Sequence, residues 1–336
     1  MPAVQKQFED FHTAIKLDDD DEKAKLRDKR KVLIDALRAK LDDDVPSFEA
    51  FNQGSYAMHT GVVPLDGNYD IDVGVIFDCN QGKYPDPVVL KKKVHDALDS
   101  HGRTVLIRRP CVTVNYMRDN LPEYHVDLVI YTKNDDGLLA IGKGKEHSAP
   151  DLCFWEPADP KKLTELICDA FTGQKEREQY RRCIRYLKRW RDVQFRNGGA
   201  PLSIALTVAA KQWFKPTLEA SGKPTDLLAL FAWVTSILNQ FQTVATDEGH
   251  YERLKVNLPV TPGGDLMERM SKLQMETFKA KLKALKDALD EAYSEDLPED
   301  ACKILKKQFG DDFKVPEKAE TAKATVAPVI STGNSA

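Results

Sequence analysis

The run YHVDLVIY, residues 124–131, sets a carboxylate, Asp127, in the middle of what otherwise reads as a buried strand. Val126, Leu128 and Ile130 alternate with it, so Asp127 lies on the face opposite them, and burying an unpartnered acid there is expensive. A second run, YDIDVGVIF (69–77), carries Asp70 and Asp72 at its head. In an extended strand, residues i and i+2 share a face and sit roughly 7 Å apart. Asp70 and Asp72 therefore point the same way while Ile71 and Val73 turn inward. Carboxylates aligned in this manner repel one another unless a cation lies between them. Hard oxygen donors suit Mg²⁺, which takes one or two protein carboxylates and completes its shell with water and phosphate. A third acid brought beside the pair would make room for two ions, about 3.5–4 Å apart, acting on an attacking and a leaving oxygen.

Upstream, FNQGSYAMHTG (51–61) supplies Gly54 and Ser55. Ser55 is a good helix N-cap, the turn Tyr56 to Thr60 follows, and Gly61 can close it. A helix start offers free N–H groups to an anion, and Gly54 lets a phosphate approach the backbone. A triphosphate held at Gly54 and Ser55 would bring its α-phosphorus near metals on Asp70 and Asp72.

Around these motifs the chain divides. KAKLRDKRKVLIDALRAKL (23–41) repeats Leu26, Val32, Leu33, Leu37 and Leu41 at helical spacing, ending at Asp42-Asp43-Asp44 before Pro46. Strand-like runs occupy 48–53, 71–78, 103–109, 111–117 and 124–131. A helix is expected in PVVLKKKVHDALDSHG, between Pro87 and Gly102. These elements predict an α/β (α+β) unit with a mixed β-sheet covered by helices. Residues from about 135 to 160 read as turn-rich loop, and Lys161 to about Gly310 show only helical patterns. The expected domains are 1–155, with its long N-terminal helix, 156–315, a helical domain, and 316–336, a disordered C-terminal tail.

Net charge is −4, which gives no global field for duplex nucleic acid. The six cysteines form no CxxC pair, as in a reduced cytoplasmic protein, and the N-terminus has no apolar signal core. No stretch approaches the length of a membrane span.

The ordered set of Gly-Ser, Asp-apolar-Asp in a strand, and apolar-Asp-apolar in a later strand resembles the polymerase-β-like nucleotidyltransferases. Within them the chain is similar to the cGAS/DncV-like nucleotidyltransferases (CD-NTases) of bacteria. FEDFHTAIKL, LRDKRKVLIDALRAKL, CFWEPADPKKL and YLKRW extend the likeness over about residues 5–310. The resemblance implies a nucleotidyltransferase palm plus a C-terminal helical lobe, with the active site between them. It implies joining of nucleoside triphosphates, ATP alone or with a second one, into a cyclic di- or trinucleotide messenger with release of pyrophosphate, in CBASS antiphage defence. Asp70, Asp72 and Asp127 would bind two Mg²⁺ ions, for which Mn²⁺ is a substitute, and Asp127 would also help deprotonate the acceptor hydroxyl. Gly54 and Ser55 would hold phosphates. Relatives carry a lysine on one helix and a serine on the next that reach the triphosphate, and Lys188 and Ser203 fit. The small-residue tail Gly333 to Ala336 is compatible with a conjugation partner.

Other features carry less. Arg181, Arg182, Arg185 and Arg191 read as a solvated basic face beside the stripe Tyr180, Ile184, Leu187 and Trp190. His59 and His125 read as ordinary hydrogen-bonded residues, and Met267, Met270 and Met275 as core. Tyr56, Tyr69 and Tyr131 are candidates for base stacking. IGKGKEH lacks P-loop spacing, and no Cys/His cluster matches the zinc insertion of animal relatives. The alternatives are a linear oligonucleotide product, an RNA end or small-molecule acceptor, or a non-catalytic nucleotide-binding scaffold.

Overall fold

A computed structural model describes residues 3–17, 22–99, 103–118, 121–246 and 249–316. The first half runs α1 (Gln5–Ile15), α2 (Glu22–Lys40), β1 (Phe48–Asn52), the short α3 (Gly54–Ala57), β2 (Tyr69–Phe77) and α4 (Pro87–Leu98). It continues with β3 (Arg103–Ile107), β4 (Val112–Arg118), β5 (Leu121–Lys133), β6 (Leu139–Lys143) and β7 (Phe154–Ala158). Then come α5 (Pro160–Cys168), α6 (Gln174–Gln194), α7 (Ser203–Trp213), α8 (Asp226–Leu238), β8 (Gln242–Thr246), β9 (Gly249–Arg253), α9 (Lys272–Ser294) and α10 (Pro298–Phe309).

The main sheet is mixed, as the patterning predicts. Its order is β1-β2-β5-β4-β3, with β6 added to β5 and β7 to β6. Among the described residues only β2 and β5 pair in parallel, in a register that sets Asp72 opposite Asp127. One face of the sheet is apolar: Ile71, Val73, Val75, Val126, Leu128 and Ile130 pack against Leu33, Ile34 and Leu37 of α2 and Leu90, Val94 and Leu98 of α4. Val32, included in the apolar stripe of α2 from spacing, faces solvent, and Ile34 takes its place. Pro87 opens α4 as expected, with the Asp86 side chain accepting from the Val88 N–H.

Two stretches differ from the sequence expectation. β6 and β7 lie in the region read as loop, because LAIGK and FWEPA are short and rich in small residues and proline, which masks the period of two. β8 and β9 interrupt the supposedly all-helical half as a polar hairpin, QTVAT against GHYER, with no apolar run to announce it.

The helical lobe has its own core, including Tyr180, Ile184, Leu187, Trp190, Met267 and Met275, with Met270 packed at its edge. Helix α1 joins this core and not the sheet's: Phe11 stacks on Tyr186 with ring centroids 5.4 Å apart, and Phe8 and Phe11 both meet Phe309 and Phe313. Grouped by core, Gln5–Ile15 goes with the second half, and a cut between 155 and 156 falls inside β7. All six cysteines are free thiols. Among the described residues no helix is long and apolar enough to cross a membrane. The expected disordered tail, with its proposed conjugation, lies outside the described residues from 317 onward.

Candidate active site

The sheet face opposite α2 and α4 carries the acids. Asp70 and Asp72 leave β2 on this side, and Asp127 leaves β5 beside them. Asp70 is nearly half exposed, and its Oδ1 lies 3.1 Å from His125 Nε2. The other ring nitrogen of His125, Nδ1, is 3.0 Å from Asn68 Oδ1. One ligand atom each from Asp70, His125 and Asp127 falls within 4.8 Å of the others. The carboxylates bring hard oxygens and the imidazole a nitrogen, a donor set suited to a divalent cation.

Asp72 sits deeper. Burial pushes its carboxyl up from the usual range to about 7, helped by the charges of Asp70 and Asp127. Burial likewise raises Asp127, while the hydrogen bond that His125 donates to Asp70 raises His125. A cluster of acids that resists ionisation is one a cation would stabilise. The stability consequence has a definite sign. Asp72 titrates higher folded than unfolded, so its contribution is full below about pH 4 and is lost as pH rises through about 7. Cation-free Asp72→Asn should therefore melt above the wild type at pH 8, by a few kcal/mol of stability, and match it near pH 4. Thermal denaturation in chelator measures this, and equal melting temperatures at pH 8 would contradict the assignment.

Gly54 fits this corner through its backbone. Its φ is +67°, and a Cβ there would lie 1.9 Å from Asp72 Oδ2. Gly54 thus leaves room for the carboxylate as well as adopting a conformation that disfavours other residues. Ser55 is not an N-cap: α3 begins at Gly54 with Gln53 before it and no side-chain cap, so Ser55 lies within the first turn. Gly61 does not close α3 either, since the helix ends at Ala57 with Met58 as its C-cap, and His59 takes a left-handed φ of 53°.

Across from the acids stands α6. Lys188 is buried, and its Nζ donates to Thr60 O and to Thr60 Oγ1, each at 3.1 Å. Burial, with Arg185 and Arg191 nearby, lowers its ammonium to about 7. Arg185 donates to His59 O at 2.6 Å and Gly61 O at 3.0 Å, and Arg189 to Val63 O at 2.8 Å. His12, held near 3 by burial and by Arg185 and Arg182, is neutral and accepts from Arg185 Nη1 at Nε2. Ser203 is the first residue of α7, and its hydroxyl accepts from Arg191.

The solvated basic face expected on α6 is therefore corrected. Arg185 is buried among carbonyls. Arg182 pairs with fully buried Asp226 through Nε at 2.7 Å and Nη2 at 2.8 Å. Arg191 binds Asp192 and Ser203. The buried face of α6 is wider than its apolar stripe, because guanidinium groups can be buried when carbonyls and carboxylates receive their donors.

A cleft of about 410 Å³ between sheet and helical lobe is lined by Gly54, Ser55, Asp70, Asp72, Lys188 and Ser203 together. Asp127 lies just beside it, in a groove shared with His125 and Asn68, and Asn68 borders both. Of the three tyrosines, Tyr69 and Tyr131 line the cleft, Tyr69 already stacked on Tyr124 and Tyr131 donating to Gln53 Oε1 at 3.0 Å. Tyr56 packs against the core of the sheet. Sequence reasoning passed over His125 as a member of the acidic cluster. The signal was its position two residues before Asp127, on the same face.

Comparison with known proteins agrees with this geometry. Residues 48–131 match the family model of the cyclic GMP-AMP synthase DncV-like nucleotidyltransferase domain, and residues 177–321 that of the cyclic GMP-AMP synthase C-terminal domain. A cyclic GMP-AMP synthase of Escherichia albertii is 30% identical over 202 residues, 56% of this chain and 42% of that protein. The matched stretch thus spans less than half of the curated relative. Among solved structures, the fold is shared with the CD-NTase CdnG of Bradyrhizobium diazoefficiens in complex with GTP, at TM-score 0.66 and 17% identity, covering 95% of this chain and 98% of that one. It is shared as well with the Vibrio cholerae DncV cyclic AMP-GMP synthase, at TM-score 0.61 and 18% identity, covering 93% and 87%. Two family models side by side, one over the acid-bearing strands and one over the helical lobe, settle the assignment: the chain belongs to the cGAS/DncV-like nucleotidyltransferases, the CD-NTases.

Proposed function

We propose that the cleft joins nucleoside triphosphates, ATP alone or with a second one, into a cyclic di- or trinucleotide messenger, releasing pyrophosphate. The observation that carries this is the convergence of Asp70, Asp72 and Asp127 from two parallel strands, beside a cleft whose far wall offers Lys188 and Ser203. The cleft volume suits a ligand of nucleotide size. The relatives named above were solved with GTP or described as a cyclic nucleotide synthase, which supports the substrate class.

In this reading Asp70, Asp72 and Asp127 hold two Mg²⁺ ions, or Mn²⁺ in their place. Such ions, when bound, neutralise phosphate charge and ease loss of the acceptor hydroxyl's proton. Asp127 stands on the side of the groove it shares with His125 and receives that proton. Gly54 and Ser55 present backbone N–H groups to phosphate oxygens at the start of α3. Lys188 gives up its bonds to Thr60, gains its proton in the presence of the polyanion, and pairs with it as a point charge. The Ser203 hydroxyl turns from Arg191 to a second phosphate oxygen. Family membership supports a role in bacterial CBASS signalling, with the protein acting in the cytoplasm.

The test is to incubate the protein with labelled nucleoside triphosphates, singly and in pairs, with Mg²⁺ or Mn²⁺. A phosphatase-resistant product whose mass is that of a cyclic oligonucleotide is expected. A phosphatase-sensitive ladder would transfer the assignment to linear synthesis, and no product across all mixtures would overturn it.

A further inference from the structure

Thr113 on β4 is the register partner of Asp127 on β5. It is 7% exposed, and its Oγ1 donates to Asp127 Oδ1 at 2.6 Å. That distance lies in the short range of a hydroxyl on a carboxylate. Cys111 Sγ lies 3.5 Å from the same hydroxyl oxygen. A threonine hydroxyl has one proton. Given to Asp127, it leaves the oxygen's lone pairs to receive the Cys111 S–H, so the three side chains form a directed chain ending on the acid. The β-branch restricts the threonine χ1, so the hydroxyl position is set by the β4 backbone. The groove that holds Asp127 is lined by Thr113, Cys111 and His125 as well.

Asp127 alone among the three acids has this support. Asp70 faces solvent and His125, and Asp72 rests against Gly54. A carboxylate on a strand can turn about its terminal torsion, and only some of those orientations aim an oxygen at the ligand atoms of Asp70 and His125.

We propose that Thr113 is a positioning residue of the candidate centre: its hydroxyl fixes the Asp127 carboxylate so that the acid faces Asp70 and His125 ready for a divalent cation. This rests on Asp127 being a cation ligand, as proposed above. Groups that orient metal ligands through a hydrogen bond typically change metal affinity or activity by about 10–100-fold when removed.

The test compares Thr113→Val, which keeps the shape and removes the hydroxyl, with Thr113→Ser, which keeps the hydroxyl. Both are made in the full chain. Mn²⁺ affinity is measured by electron paramagnetic resonance without nucleotide, and kcat and KM for ATP are measured separately. Thr113→Val should weaken Mn²⁺ binding by about tenfold or more and lower kcat by about 10–100-fold, with KM for ATP nearly unchanged. Thr113→Ser should restore both to within about threefold, a rescue that a role in packing alone would not produce. Should Thr113→Val not fold, Thr113→Ala against Thr113→Ser carries the same comparison.

Mn²⁺ affinity and kcat unchanged in Thr113→Val would overturn the positioning role, as would Thr113→Ser failing equally. If the wild type makes no nucleotide product but Thr113→Val alone loses Mn²⁺, the positioning role stands and the nucleotide-joining reading falls. If the wild type makes product and Thr113→Val matches it throughout, the reverse holds. A wild type that binds no Mn²⁺ overturns both.

Discussion

Replacing Asp70 and Asp72 together by asparagine will abolish nucleotide joining, lowering turnover by at least about 10³-fold while the protein keeps its fold. Asparagine preserves the shape of each side chain and removes its charge. The strands lose no packing, since the apolar face of β2 is made by Ile71, Val73, Val75 and Phe77. What disappears is the negative field that would hold cations against a triphosphate. The fold should if anything gain stability without cations, because Asp72 no longer has to ionise beside Asp70 and Asp127. Product quantified by chromatography, alongside circular dichroism, separates the two effects. Activity within tenfold of the wild type would remove Asp70 and Asp72 from the chemistry.

The second large effect is expected from Gly54→Ala. A methyl group at this position would meet Asp72 Oδ2 at 1.9 Å, and the backbone φ of +67° is unfavourable for alanine. Either the Asp72 carboxylate turns aside or α3 shifts away from β2. Both displace a group assigned to phosphate or cation. Turnover should fall by about 10²-fold, as misplacement by about 1 Å can cause, with about 1–3 kcal/mol lost from stability through backbone strain. Melting temperature and kcat measured on the same preparation check this. Gly54→Ala with wild-type turnover would mean that the approach of Asp72 to Gly54 is unimportant.

Much of the acid-bearing half was legible in the sequence, because strands buried on one face write their register as alternation. YDIDVGVIF and YHVDLVIY each announce a side for their acids, and the parallel pairing of β2 with β5 brings those sides together. The helix at Pro87 was equally plain from the proline at its start, and the fold adds Asp86 as its cap. Illegible were features that depend on partners distant in the chain. Arg182 has the composition of a surface residue until Asp226 arrives from α8 to pair with it. His125 and Thr113 are ordinary residue types whose surroundings only the fold reveals, and Lys188 was singled out only through the family resemblance. β6, β7 and the β8–β9 hairpin were missed because short strands at an edge, or standing alone, need no apolar period to form.

The grip of α6 on residues 59–63 has a mechanical consequence. Arg185, Lys188 and Arg189 together seize the carbonyls of His59, Thr60, Gly61 and Val63. This ribbon follows α3 directly and leads into β2, yet it is fastened to the opposite wall of the crevice. A rigid swing of the helical lobe must drag the ribbon along, so bending falls on its two junctions, at left-handed His59 and in the stretch from Pro64 to Asn68. The jaws of the crevice and the glycine-serine corner are thereby geared to one another.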